Sequence, residues 1–281
     1  MNRFGKSIFI VLLLTAISLS ANAGIDEGLN AFNNKDYTTA LRELNPVAKQ
    51  GNPFAMRLLA IMYEKGQGVV QSNKQAIEFY KKSAEKGDFF SQYKLGVFYF
   101  AGELLEQDYK KSFYWTNKSA QQGFSNSQYL LGVMYDNGQG VDRDPTQSLT
   151  WYTKSAEQNN DMAQYKLGQM YVTGAYVNQD YKQAVYWLTK AAESGNTDAQ
   201  NLLAVRYDNG EGVQKDQKKA VYWFTKSAEA GNIVAQKNMG LVYAHGDGVP
   251  QDYKQAVYWF TKAAEQGDSN SKALADMYKK Y

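Results

Sequence analysis

Asn232 to Gly267 reads NIVAQKNMGLVYAHGDGVPQDYKQAVYWFTKAAEQG. In its second half Ala256, Trp259, Phe260, Ala263 and Ala264 fall at 0, +3, +4, +7 and +8, the spacing of one apolar stripe on an α-helix. The first half has a similar stripe in Ala235, Met239, Val242 and Tyr243, at 0, +4, +7 and +8. Between them Gly246-Asp247-Gly248-Val249 reads as a turn, followed by Asp252, a residue type suited to cap a helix N-terminus. These 36 residues therefore predict a helix, a glycine turn and a second helix.

The same instruction recurs along the chain. Glycine closes units at Gly51, Gly87, Gly123, Gly195, Gly231 and Gly267, at intervals of 36 or twice 36. The skipped position holds Asn159, the non-glycine type that best tolerates the left-handed conformation ending a helix. Leu95-Gly96-x-x-Tyr99 returns as Leu131-Gly132-x-x-Tyr135, Leu167-Gly168-x-x-Tyr171 and Met239-Gly240-x-x-Tyr243, with alanine replacing glycine at Ala60 and Ala204. That small residue is expected to let a neighbouring backbone approach. The cap position holds Asp36, Asp108, Asp144, Asp180, Asp216 and Asp252, with Ser72 once, and all five tryptophans share one slot: Trp115, Trp151, Trp187, Trp223 and Trp259.

Neither helix of a unit can bury its stripe alone, so units must stack into a continuous core. The expected fold is all-α, a solenoid of helix-turn-helix repeats. Six full hairpins are read at 52–87, 88–123, 124–159, 160–195, 196–231 and 232–267. Residues 24–51 form a shortened first hairpin, with Glu43 in the tryptophan slot suiting an exposed end, and 268–281 a capping helix.

The pattern Ala-x-x-x-Leu-Gly-x-x-Tyr, Gly-x-Gly-Val-x-x-Asp, Ala-x-x-Trp-x-x-x-Ala-Ala-x-x-Gly resembles the Sel1-like repeat family, relatives of tetratricopeptide repeats. The resemblance covers 52–267 strongly and the flanks weakly. It implies a right-handed superhelical α-solenoid that scaffolds or recognises other proteins. Exported bacterial members similar to this chain are linked to host interaction, envelope assembly or signalling. Some cysteine-rich relatives bind or hydrolyse penicillin-like compounds, but this chain has no cysteine to staple its hairpins.

The start of the chain has the form of an export signal. Arg3 and Lys6 precede an apolar run from Ser7 to Leu19, and Ala21-Asn22-Ala23 offers a cleavage site, so 1–23 reads as a signal peptide. The expectation is a periplasmic or secreted protein with no integral membrane association after cleavage. No cysteine follows the cleavage site, which excludes a lipoprotein anchor. The whole chain has 31 basic and 28 acidic residues; without Arg3 and Lys6 the balance falls from +3 to +1, which gives no electrostatic drive toward nucleic acid.

Readings as an enzyme find little support. The Gly-x-Gly turns match neither phosphate-loop pattern, and their repetition marks them as turn residues. His245 is the sole histidine and stands at a first-helix end, where a polar or cationic residue is favoured. One histidine with no cysteine excludes a Cys–His pair and a multi-histidine zinc site. No nucleophile elbow appears and no cofactor is implied. The tryptophan slot lies within the apolar stripe, so it reads as core, and Trp223→Ala is expected to cost about 3–5 kcal/mol.

Function is sought where the repeats disagree. On first helices the position two after the conserved alanine points away from the hairpin core and holds Arg57, Tyr93, Tyr129, Tyr165, Asn201 and Lys237. If first helices line a concave surface, as in tetratricopeptide-like stacks, the three tyrosines form a row suited to recognition. The alternative is sideways packing against the next repeat. Gln92, Gln128, Gln164, Gln200 and Gln236 read as polar surroundings or as structural hydrogen-bonders. The second-helix series Tyr114, Tyr186, Tyr222 and Tyr258, interrupted by Glu78 and Thr150, is expected to pack partly between repeats. The leading expectation is a monomeric, non-catalytic adaptor for a protein or peptide. The alternatives are an immunity or inhibitor protein and a β-lactam or cell-wall hydrolase.

Overall fold

The computed structural model describes residues 23–281, and every regular element in it is an α-helix. The expected signal segment lies outside the described residues except for Ala23. After α1 (23–33) the helices alternate in two series. The first helices of the hairpins are α3 (Pro53–Lys65), α5 (Phe89–Ala101), α7 (Ser125–Asn137), α9 (Asp161–Thr173), α11 (Thr197–Asn209) and α13 (Ile233–His245). The second helices are α2 (Tyr37–Lys49), α4 (Asn73–Glu85), α6 (Tyr109–Gln121), α8 (Pro145–Glu157), α10 (Tyr181–Glu193), α12 (Gln217–Glu229) and α14 (Tyr253–Glu265), with α15 (Ser269–Tyr278) last. The chain forms two compact units, divided between Arg143 and Asp144. In each unit every helix packs on the next in sequence, α2 through α7 in the first and α8 through α15 in the second.

Local chemistry sets the helix ends. Each second helix from α2 to α14 starts on the expected Asp or Ser, whose side chain accepts a backbone N–H of the first turn, as from Lys111 to Asp108 at 3.0 Å. Asn159 takes φ of 63°, so asparagine fills the left-handed role that glycine has in the other copies. First helices are capped as well, by Asn52, Asp88, Asn160, Asn196 and Asn232 directly after the closing residue. α7 departs from this: its N-cap is Phe124, which makes no side-chain cap hydrogen bond.

The core corrects the reading of the tryptophan slot. The five tryptophans are only half-buried. The residue after each is the one that is enclosed: Thr116, Tyr152, Leu188, Phe224 and Phe260 are 0–4% exposed, as is Tyr80 in the same column. The helical stripe allowed either neighbour, and the one facing the first helix takes the centre. Trp223 instead packs at the edge of two successive clusters, one around Leu188 and Leu203 and the other around Phe224 and Met239. The small residue of the first helix also has a different use from the one expected. A Cβ on Gly240 would meet the Phe260 ring at 2.5 Å, and one on Gly168 the Leu188 side chain at 2.6 Å. Glycine there admits a core side chain more than a backbone.

The recurring glutamines are structural. Gln92, Gln128, Gln164, Gln200 and Gln236 are buried, and each Nε2 donates to a carbonyl near the end of the preceding second helix, Ala84, Ala120, Ala156, Ala192 or Ala228, at 3.0–3.3 Å. A further glutamine can complete the pair: Gln122 donates to Gln92 Oε1 at 2.7 Å and Gln266 to Gln236 Oε1 at 2.8 Å. The matching residue for Gln200 is Ala230, and Gln200 Oε1 is buried with no donor among the described residues. Ala230→Gln is therefore expected to stabilise the protein by about 1 kcal/mol. A denaturation midpoint that stays put or falls would show that this acceptor gains nothing from a partner.

Candidate interaction surface

The six disagreeing first-helix positions are all half-buried. Most of these positions reach the following repeat, often the residue that begins its first helix, and some also contact their own helix. Arg57 Nη1 pairs with Asp88 Oδ2 at 3.0 Å, while its guanidinium lies 4.5 Å from the Phe54 ring centre. Tyr93 meets Phe124 edge-on at 5.2 Å. Asp268 has its carboxyl held below the ordinary range, mainly by the Ser271 hydroxyl and in part by the charge of Lys237. Asn201 Oδ1 accepts from Asn238 Nδ2 at 2.9 Å, in the next first helix. Tyr165 accepts from Gln169 Nε2 at 2.6 Å; burial chiefly raises its phenol pKa, with Asp198 of the next repeat adding to the effect. Burial also raises that of Tyr93.

This geometry gives a physical reason for the disagreement. A residue that must match one neighbour varies with that neighbour, so Arg57 and Lys237 face aspartates whereas Tyr93 faces phenylalanine. The side chains keep part of their surface open. Tyr93 and Tyr129 belong to the first unit and Tyr165 to the second.

In the first unit these contacts merge into an aromatic cluster that the sequence reading missed. Phe89 lies 5.2 Å from Phe124, Phe90 lies 6.3 Å from Phe124 and 6.5 Å from Tyr93, and Arg57 lies within 5.8 Å of Phe89 and Phe90. Phe89 is 39% exposed, large for an aromatic ring at a helix start. The cluster forgoes a helix cap at Phe124, a loss of about 1 kcal/mol relative to asparagine or aspartate. Its signal was present in the sequence, as a phenylalanine in a column of Asn and Asp. Separation along the chain hid it, because the members come from three successive first helices.

A second departure lies in the other unit. Met62, Phe98, Met134, Met170 and Val242 fill one buried column, and Arg206 occupies it in α11. Arg206 is 7% exposed, pairs with Glu211 at 2.7 Å and lies 5.4 Å from the Tyr181 ring centre. A buried arginine needs such a partner, yet Arg206 Nε is buried with no hydrogen-bond acceptor among the described residues. His245 stands at the end of α13, with Nδ1 3.6 Å from Asp247 Oδ2 and both side chains exposed. Among the described residues no three His, Cys, Asp or Glu side chains are grouped so as to hold a metal ion, and no helix is long and apolar enough to cross a membrane.

The hairpins, capped columns and shared core define a helical-repeat scaffold. The Sel1 repeat pattern matches residues 53–88, 90–124, 125–160, 161–196, 197–232 and 233–268, and the chain belongs to the Sel1 repeat family. Its fold is the all-α Sel1 solenoid type, a scaffold suited to protein–protein interaction. Among solved structures it is similar to a protective antigen of uropathogenic Escherichia coli strains that displays an SLR fold. The two share 35% identity with a TM-score of 0.78 over 84% of this chain. The chain spans 50% of that antigen's length. It is also similar to a Sel1 repeat protein from Oxalobacter formigenes, at 31% identity and a TM-score of 0.75, covering 92% of this chain and 75% of the other. Comparison with curated proteins finds no match.

Proposed function

We propose that this protein is an exported, non-catalytic adaptor, periplasmic in its working location, which binds a protein or peptide along the side formed by its first helices. The observation that carries the reading is the aromatic cluster around Tyr93. It keeps Phe89 exposed and places Phe124 where every local preference favours a capping residue. Departures from local rules collect at functional sites. Rigid aromatic side chains next to an arginine are the residue types that dominate binding energy at protein interfaces. Tyr129 continues this side in the first unit, and Tyr165, Asn201 and Lys237 hold the equivalent first-helix positions in the second. Export rests on the segment 1–23.

Pull-down from envelope extract tests this with two variants. The triple variant Tyr93→Ala, Tyr129→Ala, Tyr165→Ala removes the three tyrosines. Phe89→Asp spoils the apolar cluster while keeping the fold, since Asp161 already stands at the equivalent helix start. Loss of the same partner by both is expected. Full recovery by both folded variants would remove this side from the account.

A further inference from the structure

The exposed side of the second helices in the second unit carries a pattern that folding does not require. Lysine, tyrosine and lysine stand four residues apart as Lys182–Tyr186–Lys190 on α10, Lys218–Tyr222–Lys226 on α12 and Lys254–Tyr258–Lys262 on α14. That spacing lines each triplet along one helix face. The three tyrosines are 50–51% exposed and are held alike. Each ring meets the following tryptophan edge-on at 4.9–5.1 Å, and the second lysine lies over its face at 5.2–5.9 Å. Lys110–Tyr114–Lys118 on α6 gives one copy in the first unit. By contrast α4 has Lys74–Glu78–Lys82 and α8 has Thr146–Thr150–Lys154, and both fold as the others do.

The charges on this face are largely uncommitted. Among the described residues Lys182, Lys190, Lys218, Lys226 and Lys254 make no ion pair, and only Lys262 faces a carboxylate, Glu265 at 3.4 Å. The acids nearby lie at the helix ends. Glu193, Glu229 and Glu265 close the helices, while the caps Asp180, Asp216 and Asp252 already accept backbone N–H groups.

We propose that this face of the second unit is a second interaction surface, whose partner is an acidic segment of another protein. Lysine ammonium groups and tyrosine hydroxyls both donate to carboxylates, and the ring faces can cover the aliphatic stems of glutamates. Exposed tyrosine is the signature of a protein interface. The near-neutral balance of the chain gives no electrostatic drive toward a nucleic-acid backbone. Exposed tyrosines between the lysines match the face to an acidic protein segment. It is separate from the first-helix side and stands without it.

The test uses the full chain, a fluorescein-labelled poly-glutamate peptide and fluorescence anisotropy. Quenching of Trp187, Trp223 and Trp259, which touch the tyrosines, reports the location. Lys190→Glu, Lys226→Glu, Lys262→Glu together should weaken binding about tenfold or more at physiological salt. A control with the same change of net charge, Lys81→Glu, Lys86→Glu, Lys272→Glu, alters exposed lysines elsewhere and should weaken it less than about twofold. Phe89→Asp should leave it unchanged, which separates this surface from the first-helix reading. Equal losses in the two triple variants would overturn the proposal. So would tighter binding to phosphatidylglycerol vesicles or duplex DNA than to poly-glutamate.

Discussion

Phe224→Ala is expected to destabilise the protein by about 3–5 kcal/mol, and Trp223→Ala, one residue earlier, by about 2 kcal/mol. Tryptophan is the larger residue and the more regular in the sequence, so size alone predicts the opposite order. Burial decides it. Phe224 is 4% exposed and packs in the cluster with Met239 and with Ala204, Ala228 and Ala235, three small neighbours that cannot close the void it would leave. Trp223 keeps one side in water and its loss can be filled from solvent. Urea denaturation of the two variants checks the order, and a larger midpoint shift for Trp223→Ala would return the tryptophan column to the core.

Gly212→Ala is the second large effect, about 2–4 kcal/mol. A Cβ at this position would overlap the carbonyl group of Tyr181, which begins the preceding second helix and is backbone that cannot rotate away. The residue also holds φ of 75°, where a side chain is strained. Gly231→Ala separates the two causes: φ is 93°, but a Cβ there would meet nothing within 4 Å. That variant should lose only the conformational part, about 1–2 kcal/mol. Tyr176, at the matching place one repeat earlier, carries a side chain at φ of 67°, so the left-handed conformation is tolerated there and the conformational share of the cost at Gly212 is limited. Equal thermal shifts for the two glycine variants would mean that the close approach to Tyr181 contributes nothing.

These contrasts mark how far the sequence could be read. The period made the hairpins, their order and their caps legible, because each of those features is a local choice repeated at a fixed interval. Asn159 was legible for the same reason, as the non-glycine residue that best tolerates the closing conformation. The split between Trp223 and Phe224 was not, since both fall within one helical stripe and only the direction of the partner helix tells them apart. The first-helix positions were legible as the place where repeats differ. Their contacts with the next repeat were not, because a pair such as Arg57 and Asp88 is matched across 31 residues. The aromatic cluster was hidden for that reason too. Arg206 was visible only as an exception in a column that had to be built before the exception meant anything.

The proposed adaptor role rests on the aromatic side chains of first helices in the first unit, and the second proposed surface on lysine–tyrosine triplets of second helices in the second unit. The measurement that tests the central claim most directly is photocrosslinking in cells of the native host. A photoactivatable phenylalanine analogue is placed at Tyr93 and, in a separate variant, at Lys81 on the exposed face of α4. The account predicts a covalent adduct with another protein from position 93 and none from position 81. Adducts from position 81 with none from position 93 would contradict it.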